Sequence, residues 1–287
     1  MIRITSAAHY FQPLADGDSL PSLDDELKPL CRENFRRIDR FIQLALLGSG
    51  RCVAGQTLQP DCAIYLGSGL GPIGNNITTQ EQLIRDREIP KPFNFINTLG
   101  SSAGFYVARN LGLSGQNIFI SRRGESTAAV LSAALADLAA GNAHQALVGV
   151  VEEATFPLAA HRLRQGLAAD MPVAEGSHWL LLQAGGDIGG ELQLLRFDEF
   201  AGLQDYLTPR WCREDILCCG AEVSAECADI LYHSLPDCVL PDPQQAFHDS
   251  QAAAWITEFV TSSDGGGNLY LVTGNETRGW ALFHCNA

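Results

Sequence analysis

The sequence predicts a layered α/β fold, on three observations. Short apolar, β-branched runs alternate with longer helical patterns along the chain. Several of those runs are apolar throughout, the mark of strands covered on both faces. Two helical patterns are built almost all round from small and apolar residues, and such helices belong inside a large protein. A chain of 287 residues can bury a core of that many layers.

In order along the chain, residues 2–7 read as a first strand and 13–21 as a polar loop. Residues 24–47 carry Leu27, Leu30, Phe35, Ile38, Phe41 and Ile42 at mostly three- and four-residue spacing, which predicts one helix. Arg32, Arg36, Arg37 and Arg40 fill its other face, and Gly48 and Gly50 are its expected stop. Residues 62–67 (CAIYLG) are a buried strand. The glycine-rich loop after it, SGLGPIGNN, lacks both the GxGxxG spacing and the GK[ST] ending of a phosphate cradle. A helix is expected over 79–85, opened by threonines, with Pro90 and Pro92 closing the connection to a small-residue helix over 97–113 that stops at Gly112.

Residues 117–153 are the centre of the pattern: a strand (Asn117, Ile118, Phe119, Ile120, Ser121), a break at Arg122, Arg123 and Gly124, an Ala-rich helix over 126–140, Gly141 as its cap, and a wholly apolar strand over 146–151. A strand feeding a tight turn onto a buried helix is a common place for a nucleophile, because the helix N-terminus stabilises an anion. Here the turn carries Gly124, which has no side chain. Beyond it, 156–166 predicts a helix, and 178–184 and 191–197 flank GGDIGG as a hairpin. A short strand is expected over 215–219, helices over 224–232 and 250–260, and a final hairpin from 268–272 and 280–285 around TGNETRG. Strand, turn and Ala-rich helix over 118–140 are echoed across 215–260, the sign of a two-fold design.

Charge narrows the function classes. Nineteen basic residues against 33 acidic ones leave a formal charge of −14, which argues against nucleic acid and against an anionic membrane. It also argues against direct docking of a strongly acidic carrier protein unless a local basic patch overrides the total. Nine irregularly spaced cysteines without a CxxC pair, and an N-terminus without a basic region followed by an apolar stretch, predict free thiols in a reducing cytoplasm and no signal peptide. No run is long enough to span a bilayer, and no metal-ligand spacing is visible.

These residues resemble the ketosynthase branch of the thiolase fold. ISRRGES is similar to that family's Ile-Ser-x-x-Cys-x-Ser turn, with Ile120, Ser121 and Ser126 in place. Counting back seventeen residues from Gly141, the family's own spacing, puts the nucleophile's position at Gly124. LVGVVEE resembles the strand that follows, with Gly149 and Glu152 in register, and RRIDRFIQLAL is similar to the family's early Arg-Met-Asp helix. DILCCGAE stands where the family has a strand ending in Ala-His-Gly-Thr, so Cys219 takes the place of the first catalytic histidine. FHDSQAAAWITE resembles the motif of the second, keeping His248, while the family's lysine falls on Pro243. TGNETRG stands where the family has a Gly-Phe-Gly-Gly loop.

The resemblance implies a thiolase-like layered αβαβα fold with a reduced C-terminal half, one ketosynthase-like domain over 1–287 divided near 188, and no cofactor. It also implies a chain without intrinsic catalysis, since the acyl thioester of a ketosynthase needs a thiolate. Ser126 lies two residues into the helix, roughly 200° around it from the nucleophile's direction. Glu125 reads as a helix N-terminal carboxylate, and Arg122 and Arg123 as its partners, or those of Glu152, Glu153 or another chain. The implied role is a chain-length-factor-type subunit, similar to the short ones of bacterial aryl polyene synthases. Such a subunit pairs with an active ketosynthase through the strand of residues 117–121, and the acyl carrier protein is met mainly by that partner. Two alternatives stay open: an acyltransferase or thioesterase using Cys219 and His248, and a scaffold or binding protein on the same fold.

Overall fold

Apolar β-branched segments assemble into one nine-stranded sheet in the computed structural model, which describes residues 1–17, 19–186, 188–238, 248–262 and 267–286. The first half runs β1 (Ile2–Leu14), α1 (Asp24–Leu27), α2 (Arg40–Cys52), β2 (Ala63–Gly67), α3 (Ile73–Ile84), α4 (Pro92–Ile96) and α5 (Ser101–Leu111). It continues with β3 (Asn117–Ile120), α6 (Ser126–Ala140), β4 (Gln145–Glu152), α7 (Leu158–Gln165) and β5 (Val173–Ala184). The second half runs β6 (Gly190–Phe197), α8 (Phe200–Leu207), β7 (Ile216–Cys219), α9 (Ala225–Ser234), α10 (Gln251–Ser262), β8 (Asn268–Asn275) and β9 (Gly279–Asn286).

The strand order is β3-β2-β4-β5-β1-β6-β9-β8-β7. The halves meet where β1 touches β6, through the pairs Arg3–Glu191 and Ile4–Gly190. Outward from that seam the pattern mirrors itself. β1 is antiparallel to β5, β5 antiparallel to β4, and β4 parallel to β2. β6 is antiparallel to β9, β9 antiparallel to β8, and β8 parallel to β7. The first half then adds β3, parallel to β2. Among the described residues no strand of the second half answers β3, and residues 239–247, between α9 and α10, lie outside them. The expected echo is shifted, since β7 answers β2 rather than β3.

Three apolar clusters define the layers. α2 and α5 cover one face of the first half through Phe41, Leu44, Ala103 and Val107, packed near Trp179. α6 and α10 lie in a middle layer with Tyr65, Val148 and Leu182 from the first half and Leu271 and Phe283 from the second. α8 and α9 cover the far face with Leu203, Leu207 and Leu231. Each fully buried large side chain in these clusters contributes on the order of 1.5–3 kcal/mol. The result is the expected α/β/α/β/α stack.

Several local expectations are corrected. Residues 24–47 do not form one helix: α1 ends at Leu27 and α2 begins at Arg40. Pro29 lacks the N–H that would carry the hydrogen-bond ladder onward, which breaks the run. Asp39 then caps α2, its carboxylate accepting from Ile42 N at 2.9 Å. Gly48 and Gly50 do not stop α2 but lie within it, because a Cβ at Gly48 would overlap Ser177 and the Trp179 indole. α3 starts at Ile73, ahead of the threonines, and Pro92 opens α4 at its first turn. β5 and β6 are not a hairpin, since β1 lies between them and pairs along the whole of β5. α6 matches the expected 126–140, with Gly141 in the left-handed region at φ 75°, but it is not buried all round. Val130, Leu131, Ala134 and Leu138 face the core, while Ala136 and Ala139 are exposed.

Candidate functional site

The turn from β3 into α6 is held by Ser126 rather than by a nucleophile. Ser126 is fully buried; its Oγ accepts from Arg122 N at 2.8 Å and lies 2.9 Å from Ser68 O and 2.7 Å from Arg123 O. Arg123 takes a left-handed φ of 53°, which for a non-glycine residue is a strained conformation found at over-determined sites. Gly124 follows in a single 3₁₀ turn. A Cβ built on Gly124 would stand 3.0 Å from Cβ of Ala221, in the segment that leaves β7.

The three positions named from the sequence do converge. Gly124, Cys219 and His248 line one cavity of about 150 Å³ with Ala221, Asp249 and Trp255. β3 and α6 bring Gly124 there, the end of β7 brings Cys219, and the entry to α10 brings His248. Pro243, the position matched to the family's lysine, lies outside the described residues.

None of the three carries a charge at neutral pH. Burial pushes the Cys219 thiol up to about 11, against a smaller opposing hydrogen bond with Tyr232, so it stays protonated at neutral pH. Burial lowers His248 to about 3, so its imidazole is neutral. Its Nδ1 is 2.7 Å from Ser250 Oγ, and its ring stacks on His178 with centroids 5.2 Å apart. Burial, then His248, then His9 hold His178 well below the ordinary histidine value. Among the described residues neither histidine's Nε2 has a hydrogen-bond partner. Sequence reading missed His178, which lies on β5 seventy positions from His248 with no local motif to pair them.

Carboxylates surround the turn on the first-half side. Glu152 closes β4 and accepts from Gly69 N and, at 3.4 Å, Leu70 N. Burial first, and then Asp249, push it up to about 8. Glu153 accepts from Gly74 N at 2.7 Å and is raised by burial and by Asp39. Asp249 packs against the backbone of Gly69, its carboxyl raised by burial while Arg123 pulls the other way. The arginines do not reach Glu152 or Glu153 as ion pairs. Arg122 pairs with Glu125 at 2.8 Å, Arg278 from the β8–β9 turn pairs with the same carboxylate, and Arg123 donates to Arg164 O at 2.9 Å.

The strand expected over 117–121 is β3, which ends at Ile120; Ser121 lies just past it and donates to Gly69 O at 3.1 Å. β3 is an edge of the sheet, with Asn117 exposed and Ile118, Phe119 and Ile120 half-buried. Among the described residues, eight of the fourteen exposed large apolar ones fall within 83–105, among them Ile84, Ile89, Phe95 and Phe105, on elements that lead into β3. That concentration exceeds the scattered exposure of an ordinary surface. Among the described residues, no group of three His, Cys, Asp or Glu side chains is placed to hold a metal, and no helix is long and apolar enough to cross a membrane.

No protein-family model matches the chain, and no curated protein does either. Solved structures do. The ishigamide ketosynthase/chain length factor aligns over 99% of both chains at 16% identity with a TM-score of 0.73. A type II PKS acyl-carrier protein–ketosynthase complex, AntDE:AntF, provides a chain that aligns at 12% identity over 100% of this chain and 99% of that one, TM-score 0.67. The complex of the ketosynthase ApeO with its chain length factor ApeC from Xenorhabdus doucetiae aligns at 15% identity over 99% and 100%, TM-score 0.53. The fold of this chain is therefore the ketosynthase-like one, reached with a sequence that has diverged widely from those structures.

Proposed function

We propose that this chain is a non-catalytic chain-length-factor-type subunit that pairs with an active ketosynthase and shapes its acyl tunnel in polyketide or aryl polyene biosynthesis. One observation carries the reading: Gly124, Cys219 and His248 share one small cavity in which the thiol is protonated and the imidazole neutral, on a fold whose catalytic counterparts need a thiolate. The free β3 edge and the apolar belt over 83–105 supply what a subunit of this kind needs, a surface for the active partner. The ApeO–ApeC pair is the arrangement this reading carries over. The acyl carrier protein then docks mainly on the partner, in keeping with this chain's charge of −14. The reading treats 1–287 as a single ketosynthase-like domain working in the cytoplasm with nine free thiols. An acyltransferase using Cys219 is disfavoured by the raised thiol pKa.

Co-expression with a cysteine-bearing ketosynthase, followed by size-exclusion chromatography, tests the proposal. A tight complex is expected; a well-behaved monomer that ignores the ketosynthase would sink it.

A further inference from the structure

The middle layer leaves a trough on the open side of α6. At its head, a cavity of about 340 Å³ is lined by Arg122, Arg196 and Arg278, with Trp280 and Ala128 among its walls. Three arginines line it with Glu125 and Glu222, on a chain with a formal charge of −14. Glu125 already bridges Arg122 and Arg278, while Arg196 has no carboxylate within 4 Å among the described residues. Burial raises the Glu222 carboxyl above its ordinary value. The first turn of α6 adds its N-terminal dipole to the same wall. Trp280 is 3% exposed, and its Nε1 has no hydrogen-bond partner among the described residues.

The trough continues past this head. Ser132 and Arg196 line both the arginine cavity and a second one of about 700 Å³ between α6 and β6. That second stretch is mainly apolar, with Leu135, Ala136 and Ala139 on one wall and Leu194 on the other. The small side chains of α6, which the core does not cover on this side, keep it open. A charged head and an apolar body joined end to end select a ligand with the same division. Guanidiniums favour carboxylate and phosphate oxygens through paired N–H donors, and an apolar wall favours hydrocarbon.

We infer that the trough between α6 and β6 is a binding site for an anionic amphiphile, its carboxylate or phosphate head held by Arg122, Arg196 and Arg278 and its acyl chain laid along Ala136 and Leu194. The site is separate from the cavity of Gly124, Cys219 and His248 and does not depend on pairing with a ketosynthase. Two sources share this chemistry: a free fatty carboxylate, and an acyl chain on a phosphate-bearing carrier arm.

Titration calorimetry on the purified full chain tests this, with dodecanoate, dodecanoyl-4′-phosphopantetheine, butanoate and inorganic phosphate as probes. One of the two long-chain probes is expected to bind at least about tenfold more tightly than butanoate or phosphate, and the tighter of the two identifies the source. Arg196→Gln is expected to weaken that probe by about tenfold through loss of a charge-assisted contact. Ala136→Glu, at an exposed helical position, is expected to abolish long-chain binding while leaving phosphate unchanged. Long-chain probes that bind no better than butanoate would overturn the inference. So would long-chain affinity that neither substitution moves.

Discussion

Gly124 and Ala221 face each other across the turn from β3 into α6, so closely that a Cβ on the first would touch the methyl of the second at 3.0 Å. The segment after β7 therefore leaves little room for a side chain at Gly124. Gly124→Cys is expected to yield no acyl-enzyme on incubation with an acyl-carrier substrate, read by intact-mass spectrometry. The thiol would be crowded by Ala221, and His248 is neutral and Cys219 protonated beside it. Overpacking should also cost about 1–3 kcal/mol in urea unfolding, with Ala221→Gly restoring most of it.

Stability should peak in mildly acidic solution. Glu152 is raised from 4.5 to about 8, so its folded form keeps a proton that the unfolded chain sheds, and stability falls as pH rises from about 4.5 through 8. Glu153 acts in the same direction. His248 is lowered from 6.5 to about 3, so its contribution is present above about 6.5 and lost as pH falls towards 3. The opposing slopes leave a maximum between about pH 4.5 and 6.5. Thermal melts across pH 4–9 should show it, and Glu152→Gln should flatten the alkaline side by on the order of 2 kcal/mol. A melting temperature still rising from pH 6 to 8 would contradict this assignment.

The surface expected to receive a ketosynthase can be broken without touching the core. Phe95 is 64% exposed and Ile89 94% exposed, so Phe95→Glu with Ile89→Glu should leave the chain's own unfolding within about 0.5 kcal/mol of the parent. The same pair should abolish co-elution with the partner, since it places two carboxylates in an apolar interface. Retention of the complex by this variant would place the partner elsewhere.

Gly48 offers a contest between two opposing terms. Alanine is about 1 kcal/mol better than glycine inside a helix. At Gly48 the added methyl would overlap Ser177 and Trp179, on the strand that α2 packs against. Gly48→Ala is therefore expected to destabilise by about 2 kcal/mol or more in urea, and a stabilised variant would mean α2 has room to shift.

Those same two residues mark where sequence reading ends. What is written locally was legible: α6 runs over its expected residues, Gly112 and Gly141 cap helices in the left-handed region, and β2 and β4 are buried along their length. What depends on a distant partner was not. Gly48 reads as a helix stop until Trp179 is seen against it. Residues 178–197 read as a hairpin until β1, nearly the whole first half away in sequence, is found between its strands. The site divides in the same way. Gly124, Cys219 and His248 were placed by their neighbours in the chain, whereas His178 joins them only through folding.

The mirrored sheet has a consequence for how the molecule holds together. Among the described residues its halves share two residue pairs of ladder, Arg3–Glu191 and Ile4–Gly190, while α10 of the second half packs onto β1 and β5 of the first. Cohesion between the halves is therefore carried by a helix buttress and its apolar contacts, with the backbone seam as a minor tie. In a molecule assembled this way, losing an apolar residue from α10 weakens the join between the halves as well as the helix's own packing.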